Sequence, residues 1–456
     1  MKSGSTSPPL VALCLLALTA CSQASRPNVV VVCIDTVRAD HTSLYGYERQ
    51  TTPNFERIAE RGLVLGRHFA NASWTKPSVA SIITGLHPSA HGSRVGQFST
   101  KKDKPQFVEM LSQQHQTMAE VFREEGYQTV AHVTNYNMLG RFGYDQGYDT
   151  YKFVGGATGD NRVNGSDREA VEFALEALEN AEGPLFAWVH MMSVHQYIAP
   201  EPYRRFTADP ENRTPIDRDA TAHGRVRNYE ILEDAVADYD NSILYTDALV
   251  GELYGTLQSH FPNTILLVIS DHGEEFYDHG GFEHGSTLYN EMLLVPALLV
   301  GPGVPVGRVD GITDSLDLLP TLYDLALGDI EPGLFAGQSV VRGGSPTTGK
   351  GSSFAEQHHR GPYQRYAVVE EAGTKLIRSE RKKNGAVFFE LFDDGFEIEG
   401  RDTSKSAPGE VQRLEADIES LRDGAEAHYQ TFVGETETTE LRPEDLESLK
   451  AIGYVE

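Results

Sequence analysis

The sequence predicts an α/β protein: a large, mostly parallel sheet flanked by helices, followed by a smaller C-terminal subdomain built on an antiparallel sheet. Three observations carry this prediction. Val29-Val30-Val31-Val32-Cys33-Ile34 is a continuous, largely β-branched run of strand length. It has no polar face, so it suits a strand buried on both sides, as in a parallel sheet. Helix-like segments closed by glycine then alternate with further buried runs up to about residue 330. Between residues 354 and 400 the pattern changes to short alternating segments, Tyr366-Ala367-Val368-Val369, Lys375-Leu376-Ile377-Arg378 and Val387-Phe388-Phe389, which suit a small antiparallel sheet.

The N-terminus reads as a processing signal. Lys2 is followed by an apolar stretch, Leu10 to Leu18, too short to span a bilayer. It ends in Leu18-Thr19-Ala20-Cys21, which resembles a bacterial lipobox. That resemblance implies cleavage after residue 20, lipid on Cys21, membrane attachment through that anchor, and work outside the cytoplasm. Cys14 falls in the signal and Cys33 stands alone in a buried run, so no intramolecular disulfide is expected and burial must hold the core. The formal net charge of −27 argues against a nucleic-acid partner, which wants a basic face.

The elements follow in order. Asp35 sits at the carboxyl end of the first strand, where ligand groups collect in open α/β sheets. Thr52-Pro53-Asn54 opens a helix over Phe55 to Arg61, and Val64 to Phe69 forms the next element. In Ser73-Trp74-Thr75-Lys76-Pro77-Ser78 the proline marks a first helical position, with an apolar run to Ile83 behind it. Thr75 is therefore expected just ahead of a helix N-terminus, beside free backbone donors and the positive end of the dipole. Thr117 to Glu125 reads as an amphipathic helix, Thr129 to Thr134 as a strand ending at Asn135, and 136–165 as loop. A helix from Arg168 to Ala181 precedes a strand from Leu185 to Met192. Within that strand His190 reads as a packed histidine, and His195 lies beyond its end. Residues 197–228 read as surface loop and Ile231 to Ser259 as one long helix.

The strand Thr264 to Ser270 delivers Asp271-His272-Gly273-Glu274-Glu275 and a loop with Asp278, His279, Glu283 and His284. An adjacent carboxylate and imidazole at a strand end suit a first-row metal. Met292 to Val300 reads as strand and Asp314 to Leu327 as helix. Helices over Val411 to Leu421 and Pro443 to Ala451 complete the chain. The expected organisation is a signal over 1–20, a catalytic domain over 27–330, a Gly/Ser/Thr-rich linker over 331–353, and a C-terminal subdomain with a tail helix over 354–456.

These motifs together resemble the sulfatase-like branch of the alkaline phosphatase superfamily. The residues that carry the resemblance are Asn28 to Asp35, Ala39-Asp40-His41 with Tyr45-Gly46, Thr75-Lys76-Pro77-Ser78, Ser270-Asp271-His272-Gly273, Gly285 to Tyr289, Asp317 to Leu322, and the ending Leu449 to Tyr454. The resemblance implies an alkaline-phosphatase-like fold and one divalent metal ion (Ca, Zn, Mn or Mg), with room for a second. It implies an in-line attack on sulfur or phosphorus of an anionic ester, small or polymeric. Sulfatases use a formylglycine made from Cys or Ser in a Cys/Ser-x-Pro-x-Arg motif. Here Thr75 and Val79 occupy the nucleophile and arginine positions, so no formylglycine is expected. Of the usual paired N-terminal aspartates only Asp35 is present, followed by Thr36. The pattern is closer to the phosphonate and phosphodiester hydrolases of the superfamily. By that likeness Asp35, Thr75, Asp271 and His272 hold the metal and Thr75 is the nucleophile. His195 and His284 meet the ester oxygens, and Asn135 and Lys76 bind substrate.

The chemistry agrees with those roles. A threonine hydroxyl is a weak nucleophile unless a metal lowers its pKa. Imidazole titrates near working pH, so His284 or His195 suits protonation of the leaving oxygen. The expected activity is hydrolysis of phosphoric, phosphonic or sulfuric esters through a covalent intermediate on Thr75. Three other readings stay open: a sulfatase proper, a phosphoglycerol- or phosphoethanolamine-type transferase, and a non-catalytic binding lipoprotein.

Overall fold

The computed structural model describes residues 26–95, 97–98, 107–154, 166–216, 229–328, 335–359, 361–393, 402–434 and 436–445. The lipobox-like segment, residues 155–165 and 217–228, and the tail helix beyond 445 lie outside these. The first strand, β1 (Asn28–Ile34), is followed by α1 (Pro53–Ala59), β2 (Leu63–Phe69) and α2 (Thr75–Thr84). Next come α3 (Met118–Glu124), β3 (Gln128–Val133), β4 (Thr150–Phe153), α4 (Ser166–Asn180), β5 (Leu185–Met191) and α5 (Leu232–His260). Then β6 (Thr264–Ser270), β7 (Ala297–Val300), β8 (Gly307–Asp314) and α6 (Leu318–Leu327) finish the main layer.

These strands form one eight-stranded sheet in the order β8-β2-β7-β6-β1-β5-β3-β4. Only β7 runs against its neighbours. β1 lies at the centre and shows why its sequence lacks alternation. Val29, Val31 and Cys33 enter one apolar cluster with α2, α3 and α6, while Val30, Val32 and Ile34 enter the cluster of α1, α4 and α5 on the other face. A strand with helices on both faces has no side left for polar residues. Among the described residues no helix is long and apolar enough to cross a membrane.

A second, four-stranded antiparallel sheet follows: β9 (Ser352–Gln357), β10 (Tyr363–Glu370), β11 (Lys375–Arg381) and β12 (Val387–Phe392). One face packs on the main domain and the other on α7 (Pro408–Phe432). The chain then returns to the main domain, where Thr438–Glu440 pairs with Phe107–Glu109. In the segment read as a linker, Lys350 reaches back to Asp314 at 2.6 Å and Asp317 at 3.2 Å.

Several boundaries differ from those read in the sequence, each for a physical reason. α2 begins at Thr75 rather than at Pro77. A proline is tolerated anywhere in the first turn, because those N–H groups have no intrahelical partner. Within the stretch read as loop, Thr150–Phe153 is an edge strand. Its residues are exposed or half-buried and carry no apolar run. The stretch from Met292 splits into a helical turn, Asn290–Leu293, and a strand starting after Pro296. β8 was not legible because Arg308, Asp310 and two glycines interrupt its apolar pattern at the sheet edge.

Candidate active site

The carboxyl ends of four adjacent strands, β6, β1, β5 and β3, converge beside the N-terminus of α2. β1 ends in Asp35 and β6 in Asp271 and His272, while β5 carries His190 and β3 leads to Thr134 and Asn135. Thr75 is the first residue of α2, and the Ser78 hydroxyl one turn on donates to the Asp271 carbonyl, pinning the helix start to the end of β6.

The Thr75 hydroxyl donates to Asp35 Oδ2 at 3.3 Å, and its oxygen lies 3.3 Å from His272 Nε2. Asn135 Nδ2 donates to Asp35 Oδ2 at 2.8 Å and to Thr75 Oγ1 at 3.2 Å. The orientation of that amide is set from behind, since its Oδ1 accepts from the Asn137 backbone N–H at 2.9 Å. Asp271 Oδ1 is occupied by the backbone N–H groups of Thr36 and His272, at 3.1 and 2.9 Å. His272 Nδ1 donates to the Gly273 carbonyl at 2.8 Å, which leaves its Nε2 as an acceptor. That atom lies 3.6 Å from Asp35 Oδ1 and 3.5 Å from Asp271 Oδ2.

His190 belongs to this group, contrary to its reading as strand packing. Its Nε2 lies 3.5 Å from Asp35 Oδ2. The Thr134 hydroxyl donates to the His190 carbonyl at 3.1 Å and so accepts from His190 Nδ1 at 2.9 Å, which makes Nε2 the unprotonated nitrogen. Asp35, His190 and Asp271 each offer a ligand atom within 4.8 Å of the others, and all three residues are buried.

The donor set fits a divalent cation. Asp35 Oδ1, Asp271 Oδ2 and His190 Nε2 are buried atoms with no hydrogen-bond partner among the described residues. Burial, and then the charge of Asp271, push the Asp35 carboxyl well above the usual carboxylate range. Burial likewise pushes Asp271 up to about 7 and His190 down to about 3. Two dehydrated carboxylates side by side are costly unless a cation shares them, and neutral imidazole is the form that binds metal. Thr36, at the position of the second aspartate, has φ 68° and turns its hydroxyl onto the Asp35 carbonyl at 2.7 Å, away from this group.

His284 and His195 line the next shell of the site. The His284 ring centroid lies 4.6 Å from that of His272 and 5.1 Å from that of His195, which sits in a helical turn, Ser193–Gln196. Lys76, next to Thr75 on the helix, directs its ammonium over the rings of Phe142 and Tyr144, 5.0 and 5.3 Å from their centroids. It has no hydrogen-bond partner among the described residues, and burial pushes it down to about 7. Val79, at the arginine position of the motif, is fully buried in the apolar core.

Comparison with known proteins agrees with this architecture. The Sulfatase family model matches residues 27–328. The chain is 24% identical to the Delta 4,5-hexuronate-2-O-sulfatase of Bacteroides thetaiotaomicron over 440 residues, covering 86% of this chain and 85% of that protein. Its fold matches the phosphonate monoester hydrolase of Agrobacterium radiobacter with a TM-score of 0.68 at 18% identity, covering 92% of this chain and 100% of that one. A 2-O GAG sulfatase matches with a TM-score of 0.64 at 20% identity, covering 91% and 95%. The chain belongs to the sulfatase family of hydrolases, with an alkaline-phosphatase-like α/β fold.

Proposed function

We propose that this protein is a metal-dependent hydrolase of phosphoric, phosphonic or sulfuric esters that works through a covalent intermediate on Thr75, outside the cytoplasm, anchored by lipid on Cys21. One observation carries the catalytic part. The only hydroxyl hydrogen-bonded to both Asp35 and Asn135 among the described residues, that of Thr75, sits at a helix N-terminus within 3.3 Å of Asp35 Oδ2 and of His272 Nε2. Asp35, Thr75, Asp271 and His272 would hold the ion, with His190 as a further ligand beside them. When bound, a divalent cation there supplies Lewis-acid activation and positive charge for the ester oxygens.

The residues themselves do the rest. Thr75 Oγ1 forms a bond to phosphorus or sulfur as its proton passes to Asp35 Oδ2. Asn135 Nδ2 donates to the same oxygen and holds it in place as its proton leaves. The bond to the leaving oxygen breaks, and that oxygen takes a proton from His284 or His195, a transfer that contributes about 10²–10⁴-fold in comparable enzymes. Water then attacks the same centre and gives a proton to the histidine that lost one, and the bond to Thr75 Oγ1 breaks as that oxygen takes its proton back from Asp35.

Phosphorus is the preferred centre because Thr75 cannot become a formylglycine and Val79 is committed to the core. The family match and the sulfatase relatives support the second reading, a sulfuric-ester hydrolase. The relatives' names, a hexuronate sulfatase among them, support an anionic substrate, a saccharide ester included. The test is an ester panel (aryl sulfate, phosphate mono- and diester, phosphonate) with added Zn, Mn, Ca or Mg. Turnover of phosphodiester or phosphonate above sulfate is expected. Turnover confined to sulfate moves the assignment to a sulfatase, transfer to an added alcohol in place of water moves it to a transferase, and no turnover by metal-loaded protein leaves a binding lipoprotein.

A further inference from the structure

Glu274 follows the Asp271-His272-Gly273 segment, and the ester chemistry above leaves it without a task. Its carboxylate is completely buried. Oε1 accepts from His284 Nδ1 at 2.8 Å, and Oε2 accepts from the Tyr197 hydroxyl at 2.9 Å. Its main chain is clamped as well: the N–H donates to the Glu291 carbonyl at 3.0 Å, and the carbonyl accepts from Arg38 Nη1 at 3.1 Å. The carboxylate is thus a fixed point, and the two groups bonded to it lead to the two histidines beside the metal-ligand cluster. His284 is bonded directly, and Tyr197 stands two residues after His195.

Both connections use unusual backbone. Tyr197, which ends the His195 turn, has φ 53°, and Glu283, which precedes His284, has φ 70°. Non-glycine residues keep that conformation only where the surroundings over-determine it. Glu274 is the common partner of the two segments. A buried carboxylate is a poor choice for filling space, since an apolar residue would pack without the desolvation cost. It is the right choice for holding an imidazole in one tautomer, as carboxylates do behind catalytic and metal-bound histidines.

We propose that Glu274 is a positioning residue. It holds the proton of His284 on Nδ1 and turns Nε2 toward the leaving group, and through Tyr197 it fixes the turn that carries His195. This rests on the reading of His284 as the group that protonates the leaving oxygen. In that step the proton moves from His284 Nε2 to the leaving oxygen, while Glu274 stays ionised and keeps its bond to Nδ1–H throughout.

The experiment compares Glu274→Ala, Glu274→Gln and His284→Ala, alone and combined, on 4-nitrophenyl and alkyl esters of the same acid, with bound metal quantified in each variant. Glu274→Ala is expected to lower kcat about 10–100-fold on the alkyl ester, with KM and metal content unchanged. The loss should be much smaller on the 4-nitrophenyl ester, whose leaving oxygen needs little protonation. Gln still accepts from Nδ1–H and should restore most of the loss. Adding Glu274→Ala to His284→Ala should cost much less than it does in the wild type, only what is lost through the His195 turn. Equal losses on both esters, additive losses, or lost metal would overturn the proposal in favour of a purely structural carboxylate. Wild-type protein inactive on every ester defeats the ester reading instead. The positioning claim is then read from ¹⁵N-histidine NMR, which should show His284 protonated at Nδ1 in the wild type and a changed tautomer population in Glu274→Ala. Protonation at Nε2 in the wild type, or an unchanged spectrum in the variant, would overturn it.

Discussion

Thr75 Oγ1 lies 3.3 Å from Asp35 Oδ2, across a sequence separation of 40 residues. One belongs to the first turn of a helix and the other to the end of the central strand, so only the packing of α2 against the sheet brings them together. That distance lets Asp35 accept the hydroxyl proton while both groups face the same ligand cluster.

The hydroxyl is therefore the group whose removal matters most. Thr75→Ala should leave the fold and the metal largely intact, since the smaller side chain fits the same space and the other ligands remain. Its loss of kcat should exceed the ~10²–10⁴-fold expected for removing a general acid such as His284. Thr75→Ser should keep measurable activity. Thr75→Cys should gain no sulfatase activity, because Val79 still breaks the maturation motif. Steady-state kinetics on the ester panel checks all three.

Metal binding should stabilise the fold. A cation that binds only the folded state adds about 2.7 kcal/mol at a concentration 100 times its Kd, so Tm should rise with added metal and fall on chelation. Asp35→Asn and Asp271→Asn should abolish this rise. His190→Gln should weaken metal affinity, as read by calorimetry. Wild-type affinity in that variant would return His190 to a packing role.

Acid should destabilise the protein through buried histidines outside the metal-ligand set. Burial pushes His68 down to about 3, and His132 and His115 down to about 4. Each is neutral when folded but takes up a proton near 6.5 when unfolded. Their contribution is complete above about pH 6.5 and is lost as pH falls from there toward 4. The slope is at most about 1.4 kcal/mol per pH unit for each histidine. Neither ring nitrogen of His132 has a hydrogen-bond partner among the described residues, so His132→Leu should flatten the fall of Tm between pH 7 and 5. An unchanged slope would remove His132 from this account.

Anchoring is tested by Cys21→Ser, motivated by Leu18-Thr19-Ala20-Cys21. The variant should leave the membrane fraction or remain unprocessed. Normal processing and membrane association would end the lipoprotein proposal.

Much of the fold was legible because its central strands are buried on both faces. β1 and β6 are unbroken apolar runs, and each ends in a carboxylate, which is why Asp35 and Asp271 stood out. The edge strands β4 and β8 carry polar residues on exposed positions and gave no such signal. His190 was missed for a related reason. It lies inside an apolar run, paired in register with Cys33 of β1, and no periodicity tells a packed histidine from one facing a ligand cluster. The Glu274–His284 pair was hidden because ten residues and a tight hairpin separate the two in sequence. Lys76 was placed by sequence position alone. Its place next to Thr75 invited a substrate role, but adjacent helical residues point about 100° apart, and its ammonium meets Phe142 and Tyr144.

The most direct test of the central claim is rapid acid quench of the metal-loaded wild type during turnover of an aryl phosphonate or phosphodiester, followed by peptide mass spectrometry. The account predicts the mass of the transferred phosphonyl or phosphoryl group on the peptide containing Thr75, localised to that residue and absent from Thr75→Ala. Steady turnover with no adduct at Thr75, retained by Thr75→Ala, would contradict it.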